Sequence, residues 1–123
     1  MSEASEQREI VSWFREVYPD YAHCLRVSLA GLNFGSGPRA ARMVNHVRAQ
    51  GVHPGESDML IACPRGGFGS LVIEHKASNT KYGASVEQIQ YIQRHNATNN
   101  CAVVTRGVDA AKAAIISYME SDE

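Results

Sequence analysis

Apolar residues recur at helical spacing in four segments of the chain. In the first segment, Ile10 and Phe14 are four positions apart with further apolar residues around them, as on the buried face of a helix. Pro38 suits the first turn of the second helix, and Ser85, three residues before Gln88, has the spacing of a helix N-cap. Gly107 separates the last helix from the strand before it. The predicted helices are residues 5–18, 38–50, 85–96 and 108–119.

Short apolar runs between these helices predict four strands. Residues 64–69 alone separate the second and third runs, and their sequence Pro-Arg-Gly-Gly-Phe-Gly predicts a hairpin turn. The order α-β-α-ββ-α-β-α predicts one α/β domain over residues 1–123, with a short mixed sheet flanked by helices. The predicted strands are residues 25–30, 57–63, 70–76 and 101–105. In the last two helices, the residues expected to face the core are Ile89, Ile92, Ile115, Ile116 and Tyr118.

The composition is that of an ordinary globular domain. The chain has 123 residues, of which 44% are hydrophobic and 20% charged. No apolar run approaches the roughly 18 residues of a membrane span, and the acidic start of the chain lacks the apolar segment of a signal peptide. The three cysteines are far apart and form no CxxC pair. We therefore expect a cytoplasmic protein with no membrane partner.

The net charge of −1 does not indicate a nucleic-acid partner, but the charges are unevenly distributed. Residues 39–48 hold three arginines and a histidine with no acid among them. Such a segment can contact DNA phosphates, although a solvated helix surface is the alternative interpretation. The candidate DNA-binding residues of this segment are Arg39, Arg42, His46 and Arg48. Further candidates, for which a plain surface role is the alternative, are Lys81, Tyr82 and Arg94.

The predicted hairpin brings together the residues with the clearest chemistry. Alternate side chains of a strand share one face, so Glu74 and Lys76 project together and His75 points the other way. Asp58 begins the neighbouring strand, where a hairpin can bring it beside Glu74. Two carboxylates and an ammonium group would then converge at one end of a sheet.

Adjacent carboxylates repel each other unless a cation lies between them. Oxygen ligands suit a hard divalent ion such as Mg²⁺ or Mn²⁺, and the backbone carbonyl of His75 could complete the set with Asp58 and Glu74. Such a metal can activate water and stabilise charge on a phosphate that is being cleaved, with Lys76 assisting. The alternative is that Glu74 and Lys76 form an ordinary surface pair on a hairpin.

The pattern D-x15-E-x-K on a hairpin after a helix resembles the PD-(D/E)xK nuclease superfamily. The details are closer to its virus-type replication-repair nuclease (VRR-NUC) branch, as found in short phage proteins. Two segments depart from that family: Ser57 stands where proline is usual before the Asp, and residues 29–36 replace a loop of Ile-Pro-Asn-Gly-Gly type. The matching landmarks are Gln7, Trp13, Tyr18-Pro19, Ala49-Gln-Gly-Val52, Gly55-x-x-Asp58, Pro64-Arg-Gly-Gly-Phe68, Leu71-x-Ile-Glu-x-Lys76, Ser85-x-x-Gln88, Val103-Val104 and Ala114-x-x-x-x-Tyr118.

The resemblance implies a restriction-endonuclease-like core and a metal-dependent DNA endonuclease. It implies that an acid of the first helix joins the metal site, with Glu3 as the match and Glu6 as the alternative, and that Gln88 lies near Lys76. It also implies a homodimer that cuts branched DNA such as four-way junctions. Two other hypotheses stay open: a catalytically silent DNA-binding or assembly module with this fold, and a protein unrelated to DNA.

Overall fold

The computed structural model describes residues 2–28, 35–51, 58–81 and 83–122. Every predicted helix and strand is present, in the predicted order. The helices are α1 (Glu3–Val17), α2 (Gly37–Ala49), α3 (Val86–Ala97) and α4 (Val108–Met119), and the strands are β1 (Leu25–Val27), β2 (Met59–Ile61), β3 (Leu71–Lys76) and β4 (Cys101–Arg106). None of the described helices combines the length and the hydrophobicity that crossing a lipid bilayer requires.

The ends of some elements differ from the predicted ones. Helix α1 begins two residues earlier than predicted, because the hydroxyl of Ser2 accepts a hydrogen bond from the backbone N–H of Ser5 at 3.1 Å and caps the helix. A 3₁₀ segment, Pro19–Cys24, connects α1 to β1. Strand β2 is shorter than predicted, and its predicted first residue, Ser57, lies outside the described residues together with residues 29–34.

The four strands form one mixed sheet in the order β1-β2-β3-β4. Strand β2 is antiparallel to both β1 and β3, whereas β4 runs parallel to β3. Met59 pairs with Ile73. Because the pairing is antiparallel, Asp58, one residue before β2, lies level with Glu74. The predicted hairpin is therefore formed, in the register that the proposed site requires.

The core lies between the sheet and the helices α1 and α4. Residues of one face of β2 and β3, including Met59 and Ile73, pack against Ile10 and Phe14 of α1 and Ile115 of α4. Helix α3 covers the other face, where Asn96 exchanges two hydrogen bonds with the backbone of Ala102. The two faces of β3 therefore meet different helices, which decides where each polar side chain of that strand points.

Two of the predicted core positions are wrong. Ile89 is 44% exposed and Ile116 is 37% exposed, whereas Ile115 and Tyr118 are buried as predicted. Helix α3 has no fully buried residue. Only part of the surface of α3 contacts the sheet. Its apolar face is wider than this contact, so Ile89 stays exposed.

Candidate functional site

Glu74 and Lys76 project together from β3, on the face opposite His75. Glu74 is fully buried, and the ammonium nitrogen of Lys76 lies 3.5 Å from its Oε1. This separation is that of an ion pair and exceeds the usual length of an N–H···O hydrogen bond. The structure thus brings two of the predicted site residues into contact inside the protein.

Asp58 is held next to β3 by a hydrogen bond from the backbone of that strand. Its Oδ2 accepts a hydrogen bond of 2.7 Å from the backbone N–H of His75. Burial raises the pKa of Asp58, and the neighbouring charge of Glu3 raises it further, while the His75 N–H opposes both effects. Asp58 is therefore fixed beside Glu74 in an environment that favours a nearby cation.

The carboxylate of Glu74 has an unusual environment for a buried acid. Both of its oxygens are inaccessible to solvent, and neither accepts a hydrogen bond from any described residue. Burial raises the pKa of Glu74 to about 8, and repulsion from Asp58 adds to this effect, against the attraction of Lys76. An ionised carboxylate without donors is costly to bury, so a cation bound at these oxygens would stabilise the charged form.

Glu3 approaches Asp58 from the first turn of α1. The two residues line one cavity of about 330 Å³ together with Gln7 and Val27. Glu3 also raises the pKa of Glu74, as the smallest of the effects on that group. Of the two acids that the sequence left open, Glu3 is therefore the one at the Asp58 end of the sheet.

Glu6 lies on the other face of β3 and is fully engaged there. Its Oε2 accepts hydrogen bonds from the backbone N–H and the hydroxyl of Ser78, at 3.0 and 2.9 Å, and its Oε1 contacts Nε2 of His75 at 2.8 Å. The backbone N–H of Ser78 is the main cause that lowers the pKa of Glu6, against its burial. The structure thus takes Glu6 away from Asp58 and Glu74.

His75 was expected to supply a backbone carbonyl to the metal. Its side chain is buried on the Glu6 face, and its Nδ1 contacts the hydroxyl of Thr105 at 2.9 Å. Only the backbone carbonyl of His75 can therefore take the predicted role of metal ligand. No sequence pattern predicts the contacts that join Glu6, His75 and Thr105, because these residues come from three separate elements.

Gln88 connects α3 to the site. Its Oε1 accepts hydrogen bonds from the ammonium group of Lys76 at 3.1 Å and from the backbone N–H of Ser85 at 2.8 Å. The hydroxyl of Ser85 in turn accepts from the backbone N–H of Gln88, which completes a capping box. Gln88 therefore combines the two roles that the sequence offered for it, helix cap and neighbour of Lys76.

The structure does not bring the predicted DNA-binding residues to this site. Arg39, Arg42 and Arg48 are exposed on α2, and Lys81 is exposed after β3. In the described part of the chain, no hydrogen bond or ion pair joins them to Asp58, Glu74 or Lys76. Of the further candidates, His46 and Arg94 are exposed, and Tyr82 lies outside the described residues.

The described side chains do not form a closed metal cage. Among residues 2–28, 35–51, 58–81 and 83–122, no three His, Cys, Asp or Glu side chains are grouped so as to hold an ion by themselves. Mg²⁺ in enzymes is commonly held by one or two carboxylates, with waters and substrate phosphates as its other ligands. The oxygens of Glu74 accept no hydrogen bond from the described residues and lie next to Asp58, so they fit a site in which two carboxylates hold the ion and water or phosphate completes its ligands.

Comparison with solved structures identifies a protein of similar fold. The chain is similar to a structure described as a "VRR_NUC domain protein", with a TM-score of 0.79 and 23% sequence identity, over 100% of this chain and 92% of that chain. The chain has the VRR-NUC fold. The fold class inferred from the order of motifs is thereby confirmed. No protein-family model matches the sequence, and no curated protein matches it.

The VRR-NUC fold explains why distant residues meet at the end of β2 and β3. The hairpin sets Asp58 level with Glu74, α1 brings Glu3 to the same end, and α3 brings Gln88 to Lys76. The individual roles of these residues are predictions.

Proposed function

We propose that this protein is a metal-dependent deoxyribonuclease that hydrolyses phosphodiester bonds. The observation that carries the proposal is the buried carboxylate of Glu74. Among the described residues, none donates a hydrogen bond to its two oxygens, although Asp58 and Lys76 lie beside it. A surface pair on a hairpin, the main alternative interpretation of Glu74 and Lys76, would be solvated. The VRR-NUC fold supports a nuclease-type domain.

The carboxylates of Glu74 and Asp58 would hold the metal, with Glu3 and the backbone carbonyl of His75 as further ligands. Mg²⁺ or Mn²⁺ suits these oxygen ligands and, when bound, supplies an activated water and stabilises charge on the phosphate. Lys76 would orient that water or neutralise the negative charge that develops on the phosphate. Gln88 would keep the ammonium group of Lys76 in position through the hydrogen bond between them.

The substrate proposed is DNA, with a preference for branched forms such as four-way junctions, and the active form proposed is a homodimer. Both proposals rest on the resemblance of the motifs to stand-alone VRR-NUC proteins. A dimer is physically reasonable, since two symmetric cuts need two sites related by a two-fold axis.

The test is cleavage of plasmid, linear duplex and four-way junction DNA by the purified protein with Mg²⁺ or Mn²⁺. We expect metal-dependent cleavage that Glu74→Gln, Asp58→Asn and Lys76→Met each reduce by a factor of 100 or more, on the order of the loss of one electrostatic element of an active site. Glu87→Gln, a change of an exposed acid on α3, is the matched control and should retain activity.

Cleavage by Glu74→Gln protein at the normal rate would overturn the proposed site. Metal-independent binding of DNA without cleavage by the unaltered protein would favour the alternative, a catalytically silent DNA-binding or assembly module with the same fold.

A further inference from the structure

A second cavity, of about 400 Å³, lies between α1 and the edge strand β1. Its lining residues are Gln7, Arg8, Val11, Ser12, Arg15 and Val27. Two of them, Gln7 and Val27, also line the cavity that contains Glu3 and Asp58. The two cavities therefore adjoin at Gln7 and Val27. We call the pair the α1–β1 groove, which extends from the candidate metal site along α1.

The far part of this groove is basic. Arg8 and Arg15 are exposed, and neither pairs with a carboxylate among the described residues. Each arginine is followed directly by a glutamate, but successive residues of a helix are about 100° apart around its axis, so Glu9 and Glu16 lie outside the groove. Glu9 is instead near Lys112 of α4, at 3.8 Å. Glu9 and Glu16 thus lie on a different side of the helix from Arg8 and Arg15.

Two valines give the groove an accessible apolar surface. Val27 is 45% exposed at the end of the edge strand, and Val11 is half-buried across from it. Cationic side chains above an accessible apolar surface match a nucleic-acid strand, because phosphates pair with guanidinium groups while sugars and bases contact apolar atoms. An acidic metal site at one end and free cations at the other also favour an anionic chain that enters from the arginine end.

We propose that the α1–β1 groove binds the phosphodiester backbone of the DNA strand next to the bond that is cut. This inference rests on the proposed nuclease function and adds to it the path of the substrate. Arg8 and Arg15 are seven residues apart, about 10 Å along the helix axis. They would therefore reach two different phosphates of one strand rather than the same phosphate.

The first test measures the binding of fluorescein-labelled 20-nucleotide single-stranded and duplex DNA by fluorescence anisotropy, with EDTA present to prevent cleavage. Arg8→Ala and Arg15→Ala are each expected to weaken binding about fivefold and to reduce the slope of log K against log salt by about 0.7 to 0.9. The control is Lys112→Ala. It removes one positive charge from α4, beside Glu9 and outside the groove, and should change affinity less than twofold.

The second test locates the strand. Oligonucleotides with a single neutral methylphosphonate linkage at successive positions are cleaved by the unaltered protein, and we expect slower cleavage when the neutral linkage lies on one side of the cut. In Arg15→Ala protein, the same linkage should no longer slow the reaction further, because the contact it removes is already lost.

The outcomes separate this inference from the proposed function. If the protein binds or cleaves DNA and the groove variants behave like Lys112→Ala, the groove is not the DNA path and the nuclease proposal stands. If the protein neither binds nor cleaves DNA, both are wrong. If light scattering shows that Arg8→Ala or Arg15→Ala converts a dimer into monomers, the groove is an interface between copies of this chain and the inference is overturned.

Discussion

Nε2 of His75 lies 2.8 Å from Oε1 of Glu6 inside the protein, although the two residues are 69 positions apart in the chain. The contact joins β3 to α1, the helix that also carries Glu3. The backbone N–H of His75 also donates a hydrogen bond to Asp58. His75 thus holds Asp58 directly, and it holds Glu3 through the contact of its side chain with α1. The alignment of the candidate metal site therefore depends on a buried side-chain contact on the other face of β3.

Glu6→Ala is expected to destabilise the protein by about 3 kcal/mol, because it leaves His75 and Ser78 buried without their partner. Chemical denaturation monitored by circular dichroism measures the free energy of unfolding. Glu9→Ala, in which an acid of the same helix with a half-exposed side chain is removed, is the control, and its loss should stay below about 1 kcal/mol. Equal losses in the two variants would contradict a structural role for the Glu6–His75 contact.

The raised pKa of Glu74 predicts how stability varies with pH in the absence of metal. The pKa is about 8 in the folded protein and 4.5 for an ordinary glutamate, so the folded state holds more protons between these values. As far as Glu74 is concerned, stability should therefore be greatest below about pH 4.5 and should fall as pH rises from there to about 8. Asp58, whose pKa is also raised, acts in the same direction.

Thermal unfolding in EDTA between pH 5 and pH 8.5 checks this prediction. Glu74→Gln should show a smaller decrease in Tm over this range, since its side chain does not ionise. The lowered pKa of Glu6 has the opposite effect, but its contribution is lost only as pH falls below the ordinary glutamate range. A Tm that falls equally in both proteins would show that Glu74 does not titrate as described.

Divalent metal should stabilise the protein through the same carboxylates. At ten times its dissociation constant, Mn²⁺ is expected to add about 1.4 kcal/mol to the free energy of unfolding, an increase of about 4 °C in Tm for a domain of this size. Glu74→Gln should abolish this shift and Glu3→Gln should reduce it. Glu9→Gln, a change to the same amide on the same helix, should leave it intact. A full shift in the Glu74→Gln protein would place the ion elsewhere.

Gln88→Ala should reduce the cleavage rate about tenfold, the effect of losing one hydrogen bond that positions a charged group. Because Gln88 also caps α3, its removal costs stability as well, about 1 kcal/mol. Ser85→Ala separates the two effects, since it removes the cap hydroxyl but leaves the bond between Lys76 and Gln88. Rates and unfolding curves for both variants are the measurements. Equal rate losses would assign the effect to the helix rather than to Lys76.

The sequence predicted those parts of the site that depend on local periodicity. The two-residue period of a strand separates Glu74 from His75, and the turn at residues 64–69 brings Asp58 level with Glu74. The spacing of Ser85 and Gln88 likewise predicted a capping box. Each of these relationships involves one element or one hairpin, where chain geometry alone fixes the outcome.

Relationships between distant elements could not be predicted in this way. The choice between Glu3 and Glu6 depends on how α1 is rotated against the sheet, and nothing in the spacing of the two acids reveals that angle. The exposure of Ile89 and Ile116 depends in the same way on how much of each helix the sheet covers. The α1–β1 groove was missed because its residues are unremarkable until β1 lies at the edge of the sheet beside α1.

The division of β3 into two polar faces has a consequence for how the sheet is assembled. A slip of one residue in its pairing would exchange the faces, turning Glu74 towards Glu6 and His75 towards Asp58. Two buried acids would then meet in the core, and Asp58 would lose its neighbouring acid. The wrong register is thus penalised on both sides of the strand. The polar residues on the two faces of β3 therefore also favour the correct strand alignment over the slipped one.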